Sequence, residues 1–369
     1  MTSVLILGAG ASCPAGYPAA QALLPRMREE ASSSTSVQFK EAWNRWENFL
    51  GTLPTALEVV RSCSNPEIVL SLPDLFDAAA EFEDEFRTVG AINYLQNTGE
   101  STVEELQAYF SSAGRAILSE ARTARAHLVE CFDWFFSFRH HDDSKRTRTE
   151  RDYLRRHLSA LARGDAVITF NWDTLVERVL AEDGRWYPAD GYGFPRRLVY
   201  EAEDGINHSM PARSTPPSEL VVLKLHGSYG WRSVNDRFFL DGHTYLAGFT
   251  FPLLDSPTPL RDADEPMYYS PSDLVMVYPS FLKHLAHPML ADIWALASAH
   301  LWHANFVEII GYSLPASDSA TRALLLPLIL RLNSGAARVV VRDPSTRTLE
   351  RWREFLGSKA ELLQEGIQQ

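Results

Sequence analysis

The sequence predicts an α/β protein built on a doubly wound, mostly parallel sheet, with a large helical subdomain inserted into it. Three observations carry this. Short apolar, β-branched runs recur along the chain, each closed by glycine, proline, serine or a charged turn, as befits strands buried on both faces of a sheet. Helical patterns follow several of these runs, and strand then helix, repeated, describes a parallel sheet with helices packed against it. Between the first run and the second, from about Gln21 to Arg163, helical periodicity replaces strand signals. Residues 1–20 and 164–369 are therefore expected to form a Rossmann-like domain, and residues 21–163 an inserted helical subdomain.

Val4 to Leu7 is the first strand, too short and too β-rich for a buried helix. It runs into Gly8-Ala9-Gly10-Ala11-Ser12, followed by Gly16-Tyr17-Pro18. The two glycines let the backbone turn sharply and approach a ligand with no Cβ in the way. A helix starting there would aim free N–H groups at a phosphate or pyrophosphate. An ordinary tight turn is the competing reading. The dehydrogenase fingerprint is incomplete, because its third glycine would fall at Cys13 and no strand ending in a ribose-binding acid follows after about 20 residues.

Within the inserted stretch, Ser32 to Ser36 reads as a loop and Arg139 to Arg151 as a charged connector. Phe132, Trp134, Phe135, Phe136 and Phe138 put aromatics nearly all round one helix, which reads as core, with a subunit interface as the alternative. Glu81, Glu83, Asp84 and Glu85 read as a solvated face rather than a metal site. Further strands are expected at Ala166 to Phe170, Leu220 to Leu225, Leu274 to Val277, Asn305 to Ile310 and Arg338 to Arg342. Helices follow at Asp173 to Ala181, Asp318 to Leu332 and Ser345 to Leu356, the last opening after Asp343-Pro344.

Composition narrows the function classes. The 369 residues are 45% hydrophobic, with no apolar run of the roughly 18 residues a membrane helix needs. The short N-terminal apolar run lacks a basic flank, so no signal peptide is expected and the cytoplasm is the default location. Three cysteines, Cys13, Cys63 and Cys131, build neither a disulfide framework nor a zinc knuckle. A net charge of −12 argues against direct nucleic-acid binding.

Chemistry gathers at strand ends. Ile168-Thr169-Phe170-Asn171-Trp172-Asp173 ends a strand in a polar triplet and opens a helix, which places Asn171 and Asp173 at the carboxyl edge where open α/β sheets bind ligands. Asp173 also reads as a simple helix cap; that leaves Asn171 and an exposed Trp172 unexplained. Leu225-His226-Gly227-Ser228 delivers a histidine to the same edge, and a lone histidine there is also compatible with a structural role. Ile310-Gly311-Tyr312-Ser313-Leu314-Pro315 presents amides and a hydroxyl suited to phosphate or ribose.

Taken in order, these four strand ends resemble the SIR2, or sirtuin, family, and in wording its bacterial antiphage-defence branch. Gly8-Ala9-Gly10-Ala11-Ser12 is similar to the family's NAD-binding loop, and Thr169-Phe170-Asn171-Trp172-Asp173 to its Thr-Gln-Asn-Ile-Asp motif. His226-Gly227-Ser228 resembles the catalytic His-Gly segment, and Gly311-Tyr312-Ser313-Leu314 the Gly-Thr-Ser-Leu segment that touches NAD. The departures are as specific. No zinc ribbon is available to shape an acyl-peptide groove, and Ala19-Ala20-Gln21 replaces the family's Asp-Phe-Arg, leaving Arg26 as a candidate for the missing arginine.

The resemblance implies NAD as substrate, no zinc, and catalysis by Asn171, His226 and Asp173. Gly8, Ala9, Gly10, Ala11, Ser12, Thr169, Gly311 and Ser313 would hold the dinucleotide. It implies an NAD glycohydrolase that releases nicotinamide and ADP-ribose and depletes NAD during infection, controlled by homo-oligomerisation or by an activating partner such as an ATPase, an Argonaute-type protein or a phage protein. The alternatives are an NAD-dependent protein deacylase or ADP-ribosyltransferase, and a non-catalytic NAD or ADP-ribose sensor.

Overall fold

The fold was analysed in a computed structural model that describes residues 2–19, 22–52, 66, 69–70, 119–137, 139, 151–193, 198–201, 207–210, 217–234, 237–241, 258–259, 274–277, 288–315 and 318–365. Twelve strands occur among them: β1 (Ser3–Leu7), β2 (Ala166–Thr169), β3 (Leu198–Glu201), β4 (Asn207–Met210), β5 (Val221–Lys224), β6 (Gly227–Val234), β7 (Arg237–Asp241), β8 (Thr258–Pro259), β9 (Leu274–Met276), β10 (Phe306–Ile310), β11 (Arg338–Arg342) and β12 (Glu361–Leu363). The bounded helices are α1 (Leu23–Ser33), α2 (Val37–Thr52), α3 (Asp152–Leu158), α4 (Leu175–Glu182), α5 (Pro288–His303), α6 (Ser319–Asn333) and α7 (Thr346–Leu356). Among the described residues no helix is long and apolar enough to cross a membrane.

The chain forms two compact units. One joins Met1–Ala19, Phe135–Val277 and His284–Gln369; the other joins Ala20–Trp134 and Tyr278–Lys283. In the second unit, α1, α2 and residues 119–134 are helical. Phe39, Trp43, Trp46 and Leu50 recur at helical spacing along α2 and are buried, and Arg45 pairs with Glu130. Arg26, the candidate cofactor arginine, is paired with Glu29 and Glu30, both at 2.6 Å. The acidic run at Glu81 to Glu85, Phe138 and Cys63 lie outside the described residues.

The first unit contains a six-stranded sheet, all parallel, in the order β12-β11-β10-β1-β2-β5. Numbered by their occurrence in this sheet and read from the other edge, the strands run third, second, first, fourth, fifth, sixth, the order of a dinucleotide-binding sheet. The polarity of winding reverses between β1 and β10, and that gap at the carboxyl edge is where such sheets open a crevice. The strands are apolar because helices cover them: Val4, Leu5, Ile6 and Leu7 are each at most 1% exposed, worth about 1.5–3 kcal/mol apiece. Asp318 caps α6 by accepting the Thr321 amide, and Ser345 caps α7 through the Thr348 amide, as the sequence predicts for these helix starts.

One predicted member of this sheet lies elsewhere. The run Leu274 to Val277 is expected as a parallel strand, but β9 pairs antiparallel with β6 in a second six-stranded sheet of order β8-β4-β3-β7-β6-β9. The sixth parallel place is filled by the short β12. The reason is a single backbone device. The chain leaves β5 at Lys224, turns through His226 and Gly227, and enters β6 at once. Gly227 has φ +72°, and a Cβ there would stand 2.0 Å from the Val275 carbonyl oxygen. Only glycine permits so close an approach of two backbones, so this turn binds β9 to β6.

Candidate active site at the carboxyl edge

Register brings the predicted residues together. Ile310 pairs with Leu7, Leu7 with Thr169, and Thr169 with Lys224, so four neighbouring strands end in one row. Every segment singled out in the sequence leaves the sheet from this row: Gly8 after β1, Asn171 and Asp173 after β2, His226 after β5, Gly311 after β10.

The glycine loop differs from its expected form. Instead of opening a helix, it makes two single turns of 3-10 helix, Ala9–Ala11 and Cys13–Ala15. Pro14 carries no amide proton for a continuing helix, and Gly16, with φ +86°, ends the second turn in the left-handed region. The amides of Gly8, Gly10, Ala11 and Ser12 all donate to protein carbonyls: Gly8 to Ile310 at 3.0 Å, Gly10 to Gly311 at 3.0 Å, Ala11 to Gly8 at 2.9 Å and Ser12 to Ala9 at 3.1 Å. A Cβ on Gly8 would lie 2.5 Å from the Tyr312 Cα, and one on Gly311 would lie 2.4 Å from the Ala11 nitrogen. These glycines let two strand-end loops interlock at the winding switch.

Asn171 is held the other way round. Its backbone amide donates to the Thr169 hydroxyl at 3.1 Å, and its side-chain Nδ2 donates to the Gly8 carbonyl at 3.0 Å and to Ser12 Oγ at 2.9 Å. The side chain is thus anchored to the first loop by its donor end. Its Oδ1 is buried and has no hydrogen-bond partner among the described residues. The whole residue is 8% exposed, so leaving an amide oxygen unmatched there carries a desolvation cost of about 1–3 kcal/mol. An orphaned acceptor of this kind is a place where a donor group from outside the chain fits.

The other predicted residues divide by role. Asp173 is buried and accepts the Leu175 amide at 3.0 Å, closing a turn one residue ahead of the α4 N-cap, which is Thr174 rather than Asp173. Trp172, expected to be exposed, is half-buried: its indole N–H donates to the Val277 carbonyl at 3.3 Å and its ring meets Phe136 edge-on at 5.8 Å. His226 is buried with its ring 5.2 Å from Phe170, edge to face, and Phe170 stacks on Tyr312 at 4.2 Å. Tyr312 hydrogen-bonds Asp318, and burial followed by that carboxylate's charge holds its phenol well above the ordinary range, so it stays neutral. Ser313 is exposed, and Leu314 after it has φ +47°, a left-handed conformation uncommon for a bulky residue. A second set of rings, Tyr17, Phe136 and Tyr229, stacks at 6.0–6.3 Å.

Cys13 lies on the same loop with its thiol directed to the Ala9 carbonyl at 3.5 Å. Desolvation pushes that thiol up, against a hydrogen bond from the Ala19 backbone, and the Asp173 charge adds to the rise. A neutral thiol is a poor nucleophile. Among the described residues no group of three or more His, Cys, Asp and Glu is arranged to hold a metal ion.

Two residues escaped the sequence reading. Lys224 ends β5 and Glu177 lies in the first turn of α4; both are 0% exposed and form an ion pair at 3.0 Å. Lys224 reads in sequence as a strand-end charge, and only the burial of its neighbours reveals its place. Compared with known proteins, the chain matches no family model and no curated protein. The SIR2 resemblance therefore rests on the four strand-end segments themselves.

Proposed function

We propose that this chain is a SIR2-like NAD glycohydrolase. The observation that carries the reading is Asn171: an amide fixed by its donor end to the glycine loop, with a buried acceptor that has no partner among the described residues, at the carboxyl edge of a dinucleotide-type sheet. His226 leaves the same row of strand ends, one strand away.

The chemistry suits so spare a site. The pyridinium of NAD is a cationic leaving group that becomes neutral as the nicotinamide–ribose bond breaks, so no general acid is needed. The ribose passes through an oxocarbenium-like transition state, which needs orientation and polar stabilisation more than covalent help. Asn171 Oδ1 accepts a hydrogen bond from a ribose hydroxyl or from the attacking water. His226 takes the proton as the water oxygen bonds to the anomeric carbon, near neutral pH. The products are nicotinamide and ADP-ribose. With the Gly8, Gly10, Ala11 and Ser12 amides engaged by protein carbonyls, the first loop contributes shape and the Ser12 hydroxyl, while Gly311, Ser313 and Thr169 border the dinucleotide. Asp173 orients the Asn171 turn from the start of α4.

In this reading the helical segment inserted after β1 is a control surface. NAD depletion is lethal, so the activity is restrained until homo-oligomerisation or an activating protein releases it during infection. The test incubates purified protein with NAD and follows both products, alongside Asn171→Ala and His226→Ala. Turnover in the wild type and loss in both variants is expected. No turnover by the wild type, alone or in any assembled or partner-bound state, overturns the reading; recovery of modified protein in place of free ADP-ribose points to transfer.

A further inference from the structure

The buried pair Lys224–Glu177 has no part in the chemistry above, yet it lies against the turn that carries Asn171. The Lys224 ammonium stands 3.0 Å from Glu177 Oε1, which also accepts the Tyr192 hydroxyl at 3.1 Å. The ammonium donates in addition to the main-chain carbonyl of Asp173. Burial drives the Glu177 carboxyl up, Lys224 opposes this, and the nearby Asp173 charge adds to the rise.

Two opposite charges taken wholly out of water gain little or nothing in stability over apolar side chains of the same volume. What Lys224 does that an apolar residue could not is hold the Asp173 carbonyl. The Asn171–Asp173 turn is fastened at successive points: the Asn171 amide by the Thr169 hydroxyl, the Trp172 carbonyl by the Ser228 hydroxyl at 3.2 Å and the Tyr229 amide at 3.3 Å, and the Asp173 carbonyl by Lys224. Thr169 and Lys224 are partners in the β2–β5 ladder, so the first and last fastenings stand side by side on adjacent strands. The last is the charged one, and charge-assisted hydrogen bonds are the stronger kind.

We propose that Lys224, held by Glu177, whose carboxylate the Tyr192 hydroxyl anchors in turn, is a positioning residue that fixes the Asp173 carbonyl and so sets the direction in which Asn171 presents its free oxygen. Its catalytic consequence rests on the NAD-cleavage reading; the fixing of the turn does not. Misplacement of a catalytic group by about 1 Å costs up to about 100-fold in rate, so a loosened turn acts on kcat more than on KM.

The experiment uses the full chain with K224M and E177L together, which removes both charges and keeps the volume. Three measurements are made: the melting temperature, amide hydrogen exchange resolved to residues 172–175 and to β1 and β10, and steady-state NAD cleavage. The expected result is a melting temperature within a few degrees of wild type, because the loss of two buried charges offsets the partners withdrawn from the Asp173 carbonyl and the Tyr192 hydroxyl, exchange at 172–175 faster by about 10-fold with β1 and β10 unchanged, and kcat lower by about 30-fold with KM within about two-fold. Uniformly faster exchange, unchanged exchange at 172–175, or an unchanged kcat in an active enzyme overturns the proposal. If the wild type cleaves no NAD while exchange at 172–175 alone rises, the NAD reading has failed and the positioning of the turn stands. Should the double variant fail to fold, E177Q is read by the same criteria, with about three-fold changes expected in exchange and kcat, and no change in exchange overturning it.

Discussion

The loop after β1 and the turn after β2 leave the sheet side by side, and they manage their polar groups in opposite ways. The first spends its donors within the protein: Gly8 and Gly10 direct their amides to the end of β10, Ala11 and Ser12 to the loop itself, and its glycines serve contact with Gly311 and Tyr312. The second keeps an acceptor unmatched, with Asn171 tied down by Nδ2 and its Oδ1 left over. A glycine-rich sequence at a strand end is therefore no measure of how many amides remain for a ligand. Here the glycines build a wall, and the side chain mounted on that wall carries the unmatched acceptor.

Loop and turn differ most at Asn171. Asn171→Ala is expected to lower NAD cleavage by about 10²–10³-fold, the loss of a preorganised polar group at a reacting centre, while the melting temperature falls by only a few degrees. Steady-state assay with calorimetry on the same preparation checks both. Gly8→Ala should act first on stability. Its Cβ meets backbone, which does not swing aside, so a stability loss of about 1–3 kcal/mol is expected in urea unfolding, larger than for Ala at an open helical glycine such as Gly51. Ser12→Ala removes one neutral hydrogen bond from the Asn171 anchor, worth about 0.5–1.5 kcal/mol, and should reduce kcat several-fold with the fold intact.

The smallest effect lies away from the turn and separates sheet stability from site chemistry. Burial pushes the Glu308 carboxyl up, but hydrogen bonds and charge from His157 and Arg342 outweigh it and hold it below its ordinary value of 4.5. A carboxylate depressed in the folded state adds stability at pH above 4.5, and that contribution drains away as pH falls through the lowered folded value, because the unfolded chain takes up the proton first. Glu308→Gln should flatten the acid limb of a stability–pH curve while leaving the pH profile of turnover unchanged.

Much of the parallel sheet was legible because its strands are buried on both faces and so read as unbroken apolar runs. Five of the six predicted runs belong to it. The second sheet was not, since strands such as β4 and β6 are of mixed polarity, and the Leu274 run looks the same in sequence whichever sheet receives it. A signal was present in the Asn235-Asp236 pair between Val234 and Arg237, which are paired across β6 and β7. At the site, Asn171, His226 and Gly311 were legible as polar or glycine residues closing apolar runs. Lys224 and Glu177 were not, because a lysine and a glutamate at element ends read as ordinary surface charges until their surroundings are known.

By itself the sequence determined where the strands end and which side chains stand at those ends, since both follow from local hydrophobic pattern and turn chemistry. Tertiary structure decided which groups remain unmatched there. Whether an amide or an oxygen is left over depends on what lies within 3 Å of it, and at this edge the nearest partners come from strands far apart in the chain.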